Sequence, residues 1–170
     1  MEVEMNNLKD LLNEWKTAIK SQAPNLLLTA ALNVKPQVNP SVTFPIQAIT
    51  NNLDWVNVMA YDFIYDPNQP PTSTRAPAAL NNPSADLSGS SGISAWIKAG
   101  VPANKLVLGL PFYGYAWNLV NPNNHGVLAQ ATGLIKSVDD ISSDGAISYT
   151  SIVKDFISKG AKVEDYLDWL

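Results

Sequence analysis

Tyr61 and Asp62 stand side by side at the end of an apolar run, Leu53-Asp54-Trp55-Val56-Asn57-Val58-Met59-Ala60-Tyr61-Asp62-Phe63. A phenol donates a hydrogen bond and a carboxylate accepts several, so the pair can hold hydroxyl and amide groups. Strands buried on both faces consist almost wholly of Val, Ile, Leu and Ala, and polar groups within them need partners. The C-terminal end of such a strand is where α/β folds place their chemistry. Two readings are open at this point. Tyr61 is a core tyrosine with a satisfied hydroxyl beside a loop-start carboxylate, or the two form the corner of a binding site.

A second run, Pro111-Phe112-Tyr113-Gly114-Tyr115-Ala116-Trp117, favours the binding site. Four aromatics within six residues at a strand exit are costly to expose without a ligand. Flat aromatic faces at the rim of a cleft suit the apolar faces of sugar rings. Other chemistries find less support. His125 is the only histidine, which argues against a histidine-based triad or a multi-histidine metal site, and it reads as a polar loop residue beside Asn123 and Asn124. Without cysteine there is no thiol nucleophile, thiolate zinc site or disulfide. No Gly-x-Gly-x-x-Gly or P-loop pattern occurs, and no cofactor or metal is expected. Asp54 and Asp66 flank the first run as turn or cap residues, while Asp139-Asp140 and Asp165-x-x-Asp168 read as solvated acidic pairs.

These residues need elements to position them. Met5, Leu8, Leu11, Leu12, Trp15 and Ile19 recur at helical spacing over residues 5–21, with Lys9, Asp10, Glu14, Lys16 and Lys20 mostly opposite. Residues 26–32 read as a short buried strand, 33–45 as a proline-bearing loop, and 46–52 as a helical piece leading into the strand at 53–63. Alternation along that strand places Asn57, Met59 and Tyr61 on one face and Val56, Val58 and Ala60 on the other. Residues 65–92 read as a long loop, 93–100 as a helix closed by Gly100, and 105–110 as a third buried strand with an aromatic exit loop. Alternating helices and strands with short connections imply parallel strands and right-handed crossovers. Beyond residue 125 the pattern changes, with an irregular stretch, a strand at 146–149, a helix capped by Thr150 through Lys159, and a further strand beginning near Val163.

The chain's 170 residues are enough for one domain with a core, and its composition, 46% hydrophobic and 15% charged, is globular. The net charge is −4 and Arg75 is the only arginine, so nucleic acid is not an expected partner. No apolar stretch approaches a membrane span, and the acidic start, Met1-Glu2-Val3-Glu4-Met5, lacks the apolar segment of a signal peptide.

The two runs together resemble glycoside hydrolase family 18, in particular the plant class V chitinases. Asn57-Val58-Met59-Ala60-Tyr61-Asp62 is similar to that family's sixth barrel strand, and Leu106-Val107-Leu108-Gly109-Leu110-Pro111-Phe112-Tyr113-Gly114 to its seventh. Leu26-Leu27-Leu28-Thr29-Ala30-Ala31 is similar to the fifth, and Leu12-Asn13-Glu14-Trp15 to the helix before it. The stretch from His125 onwards is similar to the small α+β insertion that follows. The resemblance implies an α/β fold: a partial TIM (β/α)8 barrel of about three parallel strands with helices, plus part of that insertion. Residues 1–120 would be the barrel segment and 121–170 the start of the insertion.

It also implies hydrolysis of β-1,4-linked N-acetylglucosamine polymers with retention, in which the substrate's acetamido oxygen attacks the anomeric carbon and a glutamic acid protonates the leaving oxygen. By the same resemblance Tyr61 would hold the acetamido carbonyl, Asp62 the sugar and the neighbouring acids, and Met59 the floor of the cleft. Tyr113 would touch sugar, with Tyr115 and Trp117 stacking on it. The implied partner is chitin or a chito-oligosaccharide, and the implied location extracellular or vacuolar.

The family's proton donor lies in an Asp-x-x-Asp-x-Asp-x-Glu run that does not occur here. The four glutamates are Glu2, Glu4, Glu14 and Glu164, and none follows a buried strand. The sequence therefore reads as a fragment of a chitinase without its catalytic acid, inactive alone and prone to self-association through open sheet edges. The alternatives are a chitinase-like lectin that keeps the sugar contacts without catalysis and, more remotely, an unrelated small α/β domain.

Overall fold

A computed structural model describes residues 2–64, 72–82 and 87–166. The chain divides into two compact units, one of Met1–Ala60 with Asp86–Gly109 and the other of Tyr61–Ala85 with Leu110–Leu170.

The first unit contains α1 (Glu2–Gln22), β1 (Thr29–Asn33), β2 (Gln37–Asn39), β3 (Val42–Thr43), α2 (Ile46–Asn52), β4 (Trp55–Met59), α3 (Gly89–Ala99), a 3-10 turn (Ala103–Lys105) and β5 (Leu106–Leu108). The three longest-range strands form a parallel sheet in the order β1-β4-β5, with Thr29 opposite Trp55 and Val56 opposite Leu106. β4 is central and alternates as its sequence predicts. Val56 and Val58 are buried, whereas Asn57 and Met59 lie half-buried on the other face. Around Val56 and Val58 pack Leu12, Leu28, Leu32, Ala48, Ile49, Leu53, Trp96 and Val101. Trp96 is fully buried, donates its indole N–H to the Asn33 carbonyl at 3.0 Å, and stacks on Phe44. A buried indole needs such an acceptor.

Charged and amide side chains fix how the helices meet the sheet. Lys16 Nζ lies 3.0 Å from Asp54 Oδ2, which also accepts from the Leu28 backbone N–H at 2.7 Å. Asp54 is thus a tie between α1, the lead into β1 and the lead into β4, more than a turn residue. Asn52 donates to Asn13 at 2.7 Å, and Lys105 donates to the carbonyls of Thr50 and Leu53 that α2 leaves free at its end.

Several boundaries differ from the sequence reading, each for a local reason. α1 buries Leu12 and packs Leu8 and Ile19 against the core, but Leu11 and Trp15 are exposed. Six positions at helical spacing span more of the helix surface than one groove covers. β1 starts at Thr29, later than expected, because the Leu26 N–H turns back to the Ala23 carbonyl and Leu26 and Leu27 face solvent. The expected loop at 33–45 contains the antiparallel pair β2–β3, whose turn is held by the Ser41 N–H on Asn39 Oδ1. α3 begins four residues before the predicted start, since Ser88 and Ser91 form a reciprocal capping box ahead of it. A Cβ on Gly92 would meet the Val34 carbonyl oxygen at 2.6 Å, so only glycine allows this helix to approach so closely. Gly100, at φ 111°, closes it as expected.

The second unit contains β6 (Tyr113–Tyr115), β7 (Trp117–Leu119), β8 (Ala131–Leu134) and β9 (Ala146–Ser148). After them come a helical turn α4 (Tyr149–Ser151), a π-helical turn (Ile152–Phe156) and a 3-10 turn (Ile157–Lys159). β6 pairs with β9 and β7 with β8, both antiparallel. The aromatic run expected as an exit loop is therefore mostly strand, and part of the expected irregular stretch is β8. The helix is capped by Ser148, whose hydroxyl accepts the Ser151 N–H at 3.1 Å, and not by Thr150. Residues 161–166 form no strand, and the rest of the strand expected from Val163 lies outside the described residues.

Candidate functional site

The second unit brings four of the expected residues together. Tyr113 and Tyr115 sit two apart in β6 and therefore point to one side of it, with Gly114 on the other. The β6–β9 register, Tyr113 opposite Ser148 and Tyr115 opposite Ala146, sets their height, and the Tyr149 N–H extends the ladder to the Phe112 carbonyl. Both phenols donate to the same carboxylate oxygen, Asp62 Oδ1, at 2.7 Å from Tyr113 and 2.6 Å from Tyr115. Such lengths belong to hydrogen bonds on a charged acceptor.

Asp62 reaches that position in a left-handed backbone conformation, φ 62°. Aspartate tolerates this region better than most residues, yet a strained backbone at a cluster of polar groups points to function. The next residue is fixed by its N–H on the Pro77 carbonyl at 3.0 Å, and Ile64 beyond it is buried. Tyr61 is half-buried with its ring edge-on to Tyr113, centroids 6.3 Å apart. Its hydroxyl has no hydrogen-bonding partner among the described residues. Tyr61 thus stands, half-buried, next in sequence to the carboxylate that the two phenols engage.

The electrostatics follow from this packing. Burial, and then the Asp62 carboxylate that their hydroxyls face, push the ionisation of Tyr113 and Tyr115 far above that of a free phenol. Asp144 adds to the effect on Tyr115. The sequence reading missed Asp144, which accepts from the Ser142 hydroxyl and, at 3.2 Å, from the Ala146 N–H. The Ser-x-Asp-Gly spacing ahead of Gly145, φ 87°, is the turn pattern that could have drawn attention to it.

Trp117 lies two residues past Tyr115, half-buried in β7 opposite Leu134. Phe112 is exposed and meets Tyr149 edge-on. Met59 ends β4 in the first unit, half-buried. The remaining candidates are not drawn in. His125 is an exposed loop residue, its Nδ1 3.3 Å from Glu164 Oε2, and Asp139 and Asp140 are exposed. Asp66 and Asp168 lie outside the described residues. Among the described residues, no cluster of acidic or histidine side chains is placed to hold a metal ion, and no helix is long and apolar enough to cross a membrane.

The parallel strands and helices of the first unit make an α/β arrangement, and the likeness to the solved structures below gives it the TIM-barrel type. The sequence profile of Glycosyl hydrolases family 18 matches residues 2–167, and the chain belongs to that family. It is 46% identical over 164 residues to a class V chitinase of Arabidopsis thaliana, a match covering 93% of this chain and 41% of the relative. Its structure superposes, with a TM-score of 0.86 and 47% identity, on a mutant class V chitinase from Nicotiana tobaccum in complex with NAG4, covering 97% of this chain and 48% of the other. A chitinase-like agglutinin from Robinia pseudoacacia, 40% identical, superposes with a TM-score of 0.81 over 99% of this chain and 48% of its own. The chain thus spans less than half the length of each of these relatives.

Proposed function

We propose that this chain supplies the sugar-holding side of a chitinase-type cleft for β-1,4-linked N-acetylglucosamine. The carrying observation is the Asp62 carboxylate held by Tyr113 and Tyr115, next in sequence to Tyr61, whose hydroxyl has no hydrogen-bonding partner among the described residues. A donor next to a pre-set acceptor is complementary to an N-acetyl sugar, which offers an amide carbonyl and several hydroxyls. In this reading Tyr61 holds the acetamido carbonyl, Asp62 takes a sugar hydroxyl or N–H, Met59 lines the floor, and Trp117 stacks on a ring. In the whole reaction the acetamido oxygen attacks the anomeric carbon while a glutamic acid protonates the leaving oxygen.

The finer architecture belongs to the same proposal. Strands β1, β4 and β5 correspond to three neighbouring strands of the eight-stranded barrel, residues 1–120 to its barrel segment, and 121–170 to the small α+β insertion. The free edges of β1 and β5 are where a second polypeptide would pair. The compartment we assign is extracellular or vacuolar.

Of the four glutamates, Glu2, Glu4 and Glu14 lie on α1 and Glu164 pairs with Lys162 and Tyr166, so none follows a parallel strand. We expect the 170-residue polypeptide to bind chito-oligosaccharide with a change in tryptophan fluorescence and to release nothing from a chromogenic chito-oligosaccharide. Absence of any fluorescence change with the N-acetylglucosamine tetramer would sink the binding claim, and released chromophore would overturn the claim of inactivity. A lectin-like role is the second reading, favoured by the likeness to the Robinia agglutinin. Agglutination of chitin-bearing particles by the chain would select it.

A further inference from the structure

Tyr113 and Tyr115 direct both hydroxyls at one oxygen of Asp62, and the other, Oδ2, has no partner among the described residues. The ring geometry narrows what these tyrosines do. Their rings meet edge to face, centroids 5.9 Å apart at 79°, and Tyr61 meets Tyr113 in the same manner at 75°. Rings interlocked in this way, with their hydroxyls already engaged, are poorly placed to act as flat stacking platforms or as donors to a ligand. Trp117, half-buried in β7, meets no other aromatic ring among the described residues.

We propose that Tyr113 and Tyr115 are positioning residues: a two-phenol clasp on Asp62 Oδ1 that aims Oδ2 at a ligand hydroxyl or N–H. The proposal rests on the sugar-binding reading and changes the tasks of the two tyrosines within it. A free aspartate carboxylate rotates and is hydrated from all sides, and binding must stop that rotation and strip that water. The clasp does part of both before the ligand arrives, which is how preorganisation gains affinity. It also stabilises the left-handed backbone at Asp62, which would otherwise favour relaxation to the ordinary region. Because the acceptor is charged and the donors are phenols, each bond is of the stronger, charge-assisted kind. The raised ionisation of both phenols agrees with a clasp that stays protonated well into the alkaline range.

A mutant cycle tests the clasp, read by tryptophan fluorescence with the N-acetylglucosamine tetramer as probe. The double variant Tyr113→Phe/Tyr115→Phe keeps both rings and loses both hydroxyls. It should bind about tenfold more weakly, in line with two modest hydrogen bonds lost, and each single variant should lose less. The second arm repeats the double variant in an Asp62→Gly background, since glycine adopts the left-handed backbone without strain. There the two hydroxyls have nothing to position, and their removal should cost no further affinity. Equal losses in both backgrounds would mean that the hydroxyls touch sugar directly, and no loss beside the native Asp62 would mean that the clasp is idle; either overturns the proposal. If the native chain binds no tetramer, the sugar-binding reading fails, and phenolate absorbance decides the clasp. Two phenols of the native chain should ionise late and shift earlier in Asp62→Gly; an unchanged titration would overturn the clasp.

Discussion

The two units are held together by different means. In the first, an apolar parallel sheet is closed over by helices, and the largest fully buried side chains, Trp96, Ile49, Leu53, Val56, Val58, Val101 and Pro36, all belong to it. In the second, the buried apolar residues are mostly small or isolated, Ala79, Ala129, Ala131, Ile64, Ile141 and Ile147, and strands of three or four residues pair only two at a time. What ties them is polar. Thr74 donates to the Gly126 carbonyl and accepts from the Ala129 N–H, Asp144 gathers Ser142 and Ala146, and Asp62 gathers two phenols. Of the groups we propose to face a ligand, Tyr61, Asp62 and Trp117 lie in the polar unit. Side chains already organised by hydrogen bonds can exchange partners with a hydroxylated ligand, which tightly packed valines cannot do.

The largest expected effect puts that contrast at risk. Trp96→Ala removes the largest fully buried side chain among the described residues and its bond to Asn33, and should cost about 3–5 kcal/mol, much of a typical domain's stability. Ile147→Ala in β9 should cost only about 2 kcal/mol, because a three-stranded apolar layer is not there to lose. Urea midpoints followed by far-ultraviolet circular dichroism measure both. Equal losses would show that the second unit also rests on burial.

A smaller effect concerns charge within the first unit. The Asp54 carboxyl is held below its ordinary value, first by the Leu28 N–H and then by Lys16. A carboxyl with a lowered folded value adds stability above its unfolded value near 3.9 and loses it as the pH falls through the folded value. Asp54→Asn should therefore cost about 1 kcal/mol at neutral pH, a figure kept low because the pair is partly solvated, and should flatten the acid limb of the stability profile. An acid limb as steep as that of the native chain would assign acid sensitivity to other carboxylates.

How much of this was legible in the sequence follows the same division. The strand β4 could be read because Val56 and Val58 alternate with Asn57 and Met59, a pattern that burial on one face imposes. Tyr61 and Asp62 were legible as polar residues where an apolar strand ends. The strands of the second unit were not, since a three-residue strand has no period to detect and its partner, as for Tyr113 and Ser148, lies 35 positions away. The early start of α3 was hidden because its capping box is written in serines and glycines, residues that also spell loop. That Tyr113 and Tyr115 share one oxygen depends on side-chain reach across two strand ends, which no spacing along the chain encodes. Leu11 and Trp15 misled in the opposite sense, as apolar residues at helical spacing that nonetheless face solvent.

The smallest effect at neutral pH separates the units most cleanly at alkaline pH. Tyr113 and Tyr115 ionise well above the ordinary phenol value of 10, chiefly through burial and then through Asp62. A raised folded value means that the folded chain keeps protons which the unfolded chain has released, so stability is full below about 10 and falls as the pH rises beyond it. This alkaline loss belongs to the second unit, just as the acid loss at Asp54 belongs to the first. Tyr113→Phe/Tyr115→Phe should cost up to about 1 kcal/mol at pH 7, the two bonds being partly solvated, and should remove much of the alkaline slope, because phenylalanine has no proton to lose. Denaturation midpoints measured from pH 8 to pH 11 read this directly. A native slope that survives the double substitution would place the alkaline weakness elsewhere, and with it the claim that the polar unit is organised around Asp62.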